Sequence, residues 1–319
     1  MNPKRMVLVT FARCIMVIEM FNFWYFFWIA VSAGLFFGPY FLLRNKSDNV
    51  KGAVLFSILA FALLLHFLKA FIPPYSTDTA RFYRDIWFVN ICGANILLFP
   101  FIFLSKSKTA KDYMFYIGVI SGFLATFYPT EPIDKGAEGC AVEYLDVIRF
   151  YIHHAIIWIV PLLMVVLGLH KLDYRRVIRV GPCLIGLFLF IMLNQLFQQE
   201  LGFTPVRGFA GEGHSSTVHD ITQIGYKNTS YIWGTDPDDA IGKIFDFLCP
   251  KLFKTIPVGE YAGQAKHWPF FWLIVPVMVL VTPLAFGISM VFDHKSFRRD
   301  MGRVKLKLSD IGSRLKHKK

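Results

Sequence analysis

The chain has 319 residues, of which 55% are hydrophobic and 17% aromatic, with 34 phenylalanines. Only 18% are charged, against about a quarter in soluble domains, which excludes an ordinary soluble protein. The formal net charge is +12, and between Lys295 and Lys319 ten Lys and Arg face only Asp300 and Asp310; with no aromatic platform beside it, this run reads as an anchor on anionic lipid headgroups and not as a nucleic-acid site.

Residues 1–5 are basic, but the apolar run behind them holds Arg13 and Glu19 and no small-residue cleavage site, so residues 6–20 read as an interfacial helix leading into the first span and not as a cleaved signal. About 20 apolar residues cross a bilayer, and seven stretches qualify: 22–43, 52–72, 86–105, 112–129, 147–169, 178–200 and 268–292. The expected fold is therefore all-α and polytopic, a seven-helix membrane domain over 1–293 followed by a basic tail over 294–319. The loops 44–51, 106–111 and 170–176 are basic, whereas 130–146 is acidic. Basic loops favour the cytoplasmic side, which puts the C-terminus in the cytoplasm and the N-terminus outside or in a lumen.

The last loop, 201–267, then lies on the non-cytoplasmic side. Its Gly-rich first half reads as flexible, and its second half alternates apolar and polar groups at helical spacing, as short headgroup-level helices do. Tyr231, Trp233, Trp268 and Trp272 fit an aromatic belt. Cys140 and Cys249 share this side, where an oxidising compartment allows them to pair. None of the five Cys forms a CxxC motif, so no zinc or redox centre is indicated. Asn228-Thr229-Ser230 is a glycosylation sequon in a eukaryotic setting.

Polar residues recur at one depth. Asn90, Cys92 and Asn95 open the third stretch, with Cys92 about 9 Å below its outer boundary. His154, beside His153, lies about 10 Å into the fifth stretch. The second carries His66 and Lys69 in its last two turns, and the sixth Asn194, Gln195 and Gln198. Polar and ionisable groups inside a membrane are expensive and mark sites. A thiol with an imidazole in reach is a nucleophile and base pair that forms an acyl-thioester from an ester carbonyl. Asn90 with a neighbouring Lys suits an oxyanion or orienting role, and scarce water at that depth favours acyl transfer to another lipid over hydrolysis.

The N-I-C motif at 90–92, YIGVISGFLATFYP at 116–129, FYIHHAIIWIVPLLMV at 150–165, Asn194 and NTSYIWGTDP at 228–237 occur in an order and spacing that resembles the YwaF / transmembrane protein 164 family of polytopic membrane proteins, from about residue 50 onward. The resemblance implies a phospholipid acyltransferase, the animal members moving a polyunsaturated acyl chain between phospholipids with a Cys and a His. It maps these onto Cys92 and His154, with His153 at a position that is not His in the relatives. The chain departs from the animal pattern in having Gly93 after the Cys where a His would stand, and in a longer final outer loop. A related group of membrane hydrolases uses Thr and His.

The expected activity is thus transfer of an acyl chain between phospholipids and lysophospholipids, with no cofactor, in a bacterial cytoplasmic membrane or a eukaryotic endomembrane. A transporter of a small amphipathic solute and a non-enzymatic membrane assembly protein are the alternatives; the apolar inner halves of the spans count against the former. His214, His219 and Asp220 form a weak metal pattern. Glu19, Asp85 and Arg149 read as interfacial ion pairs or headgroup contacts.

Overall fold

Hydrophobic runs bounded by capping residues become helices here. In the computed structural model, which describes residues 17–72, 75–77, 82, 86–87, 90–129, 132–133, 144–201, 230–235, 240–255, 262–263 and 267–316, the regular elements are all helical. They are α1 (Phe23–Leu43), α2 (Asp48–Leu68), α3 (Ile91–Leu104), α4 (Lys108–Phe127), α5 (Tyr144–Val166), α6 (Val180–Glu200), α7 (Ala240–Leu248), α8 (Phe271–Phe292) and α9 (His294–Lys316). Short 3₁₀ turns occupy Lys69–Phe71, Tyr174–Arg179 and Lys251–Lys254. Side-chain oxygens cap the starts: Asn22 Oδ1 accepts from Tyr25 N at 2.9 Å, and Ser107 Oγ from Ala110 N at 3.2 Å. Each such bond satisfies a first-turn donor that the helix itself leaves open.

Seven of these helices fall on the seven expected stretches. Five are long and apolar enough to cross a membrane: Phe23–Leu43, Asp48–Phe71, Leu145–Val166, Tyr174–Gln198 and Phe271–Phe292. The other two differ from expectation. α3 has 14 residues, about 21 Å, because it starts at Ile91 and not near 86. α4 has 20 residues but opens with Lys108, Lys111 and Asp112. Most of the expected interfacial helix at 6–20 lies outside the described residues, whereas the expected short helix in the second half of the last loop is present as α7 and its 3₁₀ turn.

Cross-links at the two ends give the helices alternating directions. At one end the start of α1 meets the end of α4 (Tyr25 Oη donates to Phe127 O, 3.0 Å), and Ile91 at the start of α3 donates its N–H to Ser230 Oγ at 3.1 Å. Segment 230–235 also reaches the end of α6 (Trp233 Nε1 donates to Gln195 Oε1, 2.5 Å) and the start of α8 (Phe270 N donates to Ile232 O, 2.6 Å). At the other end Lys51 on α2 donates to Leu167 O beyond α5 at 3.1 Å, and Tyr174 N donates to Asp293 Oδ2 at 3.4 Å, joining the entry of α6 to the exit of α8.

α5 is the central helix: 78% of its apolar stretch is buried within the bundle, against 17% for α1. α1, α2, α3 and α4 all pack on it, α4 most extensively. The α4–α5 contact relies on two glycines. A Cβ on Gly118 would stand 2.7 Å from Ile157 O and one on Gly122 2.8 Å from His154 O, so backbone meets backbone there, as small residues allow between membrane helices. Trp28 of α1 stacks on Tyr151 of α5 with centroids 4.7 Å apart. The outward face of α1 and α2 carries exposed Phe26, Phe37, Phe41, Phe61 and Leu64, an apolar surface that suits lipid and not water.

The basic tail is helical and docked. Tyr174 Oη donates to Asp300 Oδ2 at 2.6 Å, and Arg175 Nε donates to the same carboxylate at 3.0 Å. These partners hold the Asp300 carboxyl below the usual carboxylate range, the tyrosine hydrogen bond first and the arginine next.

Gly122→Ala is expected to lower the thermal unfolding midpoint of the detergent-solubilised chain, by the equivalent of about 1–3 kcal/mol of overpacking. Gly34→Ala on α1, where a Cβ meets nothing within 4 Å, should leave it unchanged or raise it by the equivalent of about 0.5–1 kcal/mol. Equal midpoints for the two variants would refute the close-approach account.

Candidate functional site

Of the expected site residues, Asn90, Cys92 and Asn95 lie at the start of α3, and its first turn explains the Asn of the N-x-C motif. Asn90 is the N-cap: its backbone is extended and its Oδ1 accepts from Gly93 N at 2.6 Å. This carbonyl oxygen is committed to the helix, and an oxyanion role would fall to the Nδ2 donor of the same side chain. Ser230 supplies a second acceptor, to Ile91 N, and is itself 2% exposed. Cys92 follows two residues after the cap, a half-buried thiol on the first turn, where the helix dipole favours negative charge.

One turn further in, Asn95 is fully buried. Its Oδ1 accepts from Tyr113 Oη on α4 at 2.8 Å. Its Nδ2 has no partner among the described residues. A buried amide hydrogen-bond donor left open in an apolar interior costs about 1–3 kcal/mol and calls for an explanation. Three residues separate it from Cys92, so both lie on neighbouring faces of α3. The sequence displayed Asn95 in the polar opening of the stretch but gave no reason to rank it above Asn90.

The two adjacent histidines of α5 are used differently. His153 Nε2–H donates to Ala62 O on α2 at 3.1 Å, and its Nδ1 accepts from Arg149 Nη1 at 3.3 Å. Both ring nitrogens are thereby committed, and the ring lies 6.0 Å from that of His66. His154 Nδ1–H donates to Phe150 O one turn back at 2.7 Å, and its ring packs on Phe150 at 4.0 Å. That bond fixes the tautomer and leaves the basic lone pair on Nε2. α3 and α5 pack side by side.

Around His153 lies a charged cluster. His66 Nε2 donates to Ile86 O at 2.8 Å. Arg149 Nε donates to the buried Asp146 at 2.8 Å, and the Arg149 guanidinium and Lys69 Nζ lie 5.8 and 5.2 Å from the ring of Tyr75. Arg149 is thus the ion-pair residue expected, within one helix. His66, Lys69 and His153 belong to this α2–α5 cluster. On α6, Asn194 is half-buried beside the buried Gln195 that binds Trp233.

Two of the belt aromatics turn inward. Trp233 is 7% exposed and Trp272 fully buried, each donating its indole N–H inside the protein, to Gln195 and to Tyr231 O. They anchor segment 230–235 against α6 and α8 and do not line a lipid boundary. Cys249 is a free, buried thiol whose Sγ donates to Pro250 O at 3.5 Å; burial pushes it up to about 11, which makes it a poor nucleophile. Its expected partner Cys140 lies outside the described residues, as do Asn228, Asp85 and the His214, His219, Asp220 pattern. Among the described residues no group of three His, Cys, Asp or Glu could hold a metal ion.

Asp246 ties α7 to the entry of α8: it accepts from His267 Nε2 at 2.6 Å and from Lys254 Nζ at 2.9 Å. Burial acts first to raise its carboxyl, but the lysine and histidine outweigh it and hold it below the usual range. A lowered carboxylate contributes stability above its ordinary value, about 4, and loses it as pH falls through the lowered one. Asp246→Asn should speed amide exchange over 240–254 at neutral pH and remove the further acceleration that mild acid produces in the unmodified chain. Exchange unaltered by the substitution would show that this carboxylate does not secure α7.

The model of the TMEM164 family matches residues 4–216, two thirds of the chain, and the chain belongs to that family. The match reaches further towards the N-terminus than the resemblance from residue 50, and it ends before the NTSYIWGTDP segment. Together with the five apolar helices it marks an integral membrane protein. No curated protein and no solved structure matches the chain.

Proposed function

We propose that this member of the TMEM164 family is a lipid acyltransferase that carries an acyl chain on Cys92, with His154 as its base. In this reading all seven helices α1–α6 and α8 cross the bilayer, with the α3 start on the non-cytoplasmic side and the basic end in the cytoplasm. The observation that carries the reading is the tautomer of His154: its Nδ1–H bonds its own helix, so the basic nitrogen is Nε2, whereas His153 binds Ala62 O and Arg149 with its two nitrogens.

The steps balance without a cofactor. His154 Nε2 accepts the proton of Cys92 Sγ. The thiolate attacks the ester carbonyl of a phospholipid, and the tetrahedral oxyanion receives a hydrogen bond from Asn95 Nδ2. Collapse breaks the bond to the glycerol oxygen, which leaves as the lysophospholipid hydroxyl with the proton from His154, and the acyl chain stays on sulfur as a thioester. The hydroxyl of a second lysophospholipid then attacks, His154 takes its proton, and Cys92 leaves and is reprotonated. The donor one turn from the nucleophile lowers the barrier by binding charge that exists only in the transition state.

An assembly role is the second reading, favoured by the use of Asn90 as a cap. Reconstitution into vesicles with an acyl-labelled phospholipid and an unlabelled lysophospholipid separates the two. Label should move with the unmodified chain and stop with Cys92→Ala and His154→Ala, and intact mass without acceptor should show an acyl adduct that neutral hydroxylamine removes. Equal label distribution with all three folded proteins would end the enzyme reading.

Asn95→Leu is expected to lower the single-turnover acylation rate about 100-fold. Tyr113→Phe, which removes only the partner of Oδ1, should cost less than about 10-fold. A rate unchanged in Asn95→Leu would remove Asn95 from the reaction.

A further inference from the structure

At the end of the bundle opposite Cys92, three basic segments far apart in the sequence close around one cleft of about 350 Å³, within the size range of small-ligand sites, about 300–1,000 Å³. Its walls are the start of α4 (Lys108), the connection from α5 to α6 (169–173, Arg175, Arg176) and the exit of α8 into α9 (Asp293, Ser296, Arg299).

The walls are held by bonds that leave a definite set of charges over. Asp112, fully buried on α4, accepts from Arg176 Nε at 2.5 Å and Nη2 at 3.0 Å and from His170 Nε2 at 2.7 Å. Asp300 takes Arg175 and Tyr174. Asp173 caps the 3₁₀ turn through Arg175 N at 3.0 Å and lies 3.6 Å from Arg176 Nη1; Asp293 accepts from Tyr174 N. Every lining carboxylate is thus engaged. The cations are not: among the described residues the side-chain ammonium groups of Lys108 and Lys171 make no hydrogen bond or ion pair, Lys171 being held only through its backbone O, which accepts from Arg176 Nη2 at 2.9 Å, and Arg299, 60% exposed, comes only within 3.8 Å of Asp300. Two ammonium groups and a guanidinium therefore border a cleft with a rigid floor and the Ser296 hydroxyl at its edge, beside a tail that adds further positive charge.

We infer that this cleft binds a phosphomonoester dianion, a group able to take several cations at once, presented by a lipid headgroup at the membrane surface or by a soluble phosphate. Basic pockets between membrane helices take anionic headgroups in this way. The inference does not rest on the acyl-transfer reading, since no residue of the cleft belongs to that site. It also goes beyond a diffuse attraction of the tail to anionic lipid, because it assigns the discrimination to Lys108 and Lys171.

The test uses the full chain in nanodiscs of neutral phosphatidylcholine, alone, doped with phosphatidate, doped with phosphatidylglycerol, or bathed in inorganic phosphate. Retained lipid is read by native mass spectrometry and stability by thermal midpoint. The unmodified chain should prefer phosphatidate over phosphatidylglycerol about tenfold, a difference of about 1.4 kcal/mol, and Lys108→Ala/Lys171→Ala should lose that preference while keeping its midpoint in neutral lipid. A rise in midpoint with inorganic phosphate alone, absent in the double variant, would support the site with a soluble source. Equal retention of the two anionic lipids, equal behaviour of the double variant, or no response to any anion would each overturn it. Should the double variant lose its midpoint in neutral lipid, Lys171→Gln alone is carried through the same arms and read by the same criteria.

Discussion

The contact of α4 with α5 through Gly118 and Gly122 is the constraint on which the rest of this bundle depends. Between helices in lipid there is no hydrophobic driving force to spare, because the acyl chains are as apolar as the side chains they would replace. What remains is close packing and hydrogen bonding, and both need backbones that approach. Gly118 lets Phe99 of α3 and the Ile157 carbonyl of α5 meet at one point, so three helices share a single contact. Gly122 does the same one turn on, against the carbonyl of His154 and the backbone of Trp158. The rotation of α5 about its axis is thereby set by α4, and that rotation decides where His153 and His154 point.

The two ends of the bundle treat polarity in opposite ways. At the basic end a buried carboxylate, Asp112, is surrounded by Arg176 and His170, and the pairing offsets a desolvation cost that an isolated carboxylate could not bear. At the other end the Asp146–Arg149 ion pair sits beside amides, hydroxyls and imidazoles that are held by a backbone carbonyl or a cap: Asn90 on Gly93 N, Ser230 on Ile91 N, His66 on Ile86 O, His154 on Phe150 O. The first arrangement fixes geometry by charge. The second fixes the orientation of each side chain by a hydrogen bond to the backbone.

Much of this was readable from the sequence for a simple reason: lipid demands long apolar runs, and such runs are visible without a fold. The seven helices and the basic and acidic loop alternation follow from that. The start of α3 was not readable, because Trp87 to Asn90 continue the apolar pattern and only the extended backbone and side-chain bond of Asn90 end it. Trp233 and Trp272 mislead for a related reason, since a tryptophan at the membrane boundary has the same sequence signature whether its indole faces lipid or Gln195. Asp112 lay at the edge of a basic loop, and its partners are 58 and 64 residues away, a distance over which one sequence carries no signal. The family motifs point to Cys92 and His154 by resemblance alone, and they give no basis for choosing between Asn90 and Asn95.

The short length of α3 ties these observations together. At about 21 Å it is shorter than a hydrocarbon core about 30 Å thick, and it starts at the Asn90 cap. Segment 230–235 lies against that start, with Ser230 bonded to Ile91 N of α3 and Trp233 to Gln195 of α6, both buried. In the proposed orientation this start, with the positive end of the helix dipole, a thiol and a buried amide, lies on the non-cytoplasmic side against segment 230–235. The capping asparagine therefore acts at one remove: by fixing where the helix starts it sets the place of the cysteine two residues on.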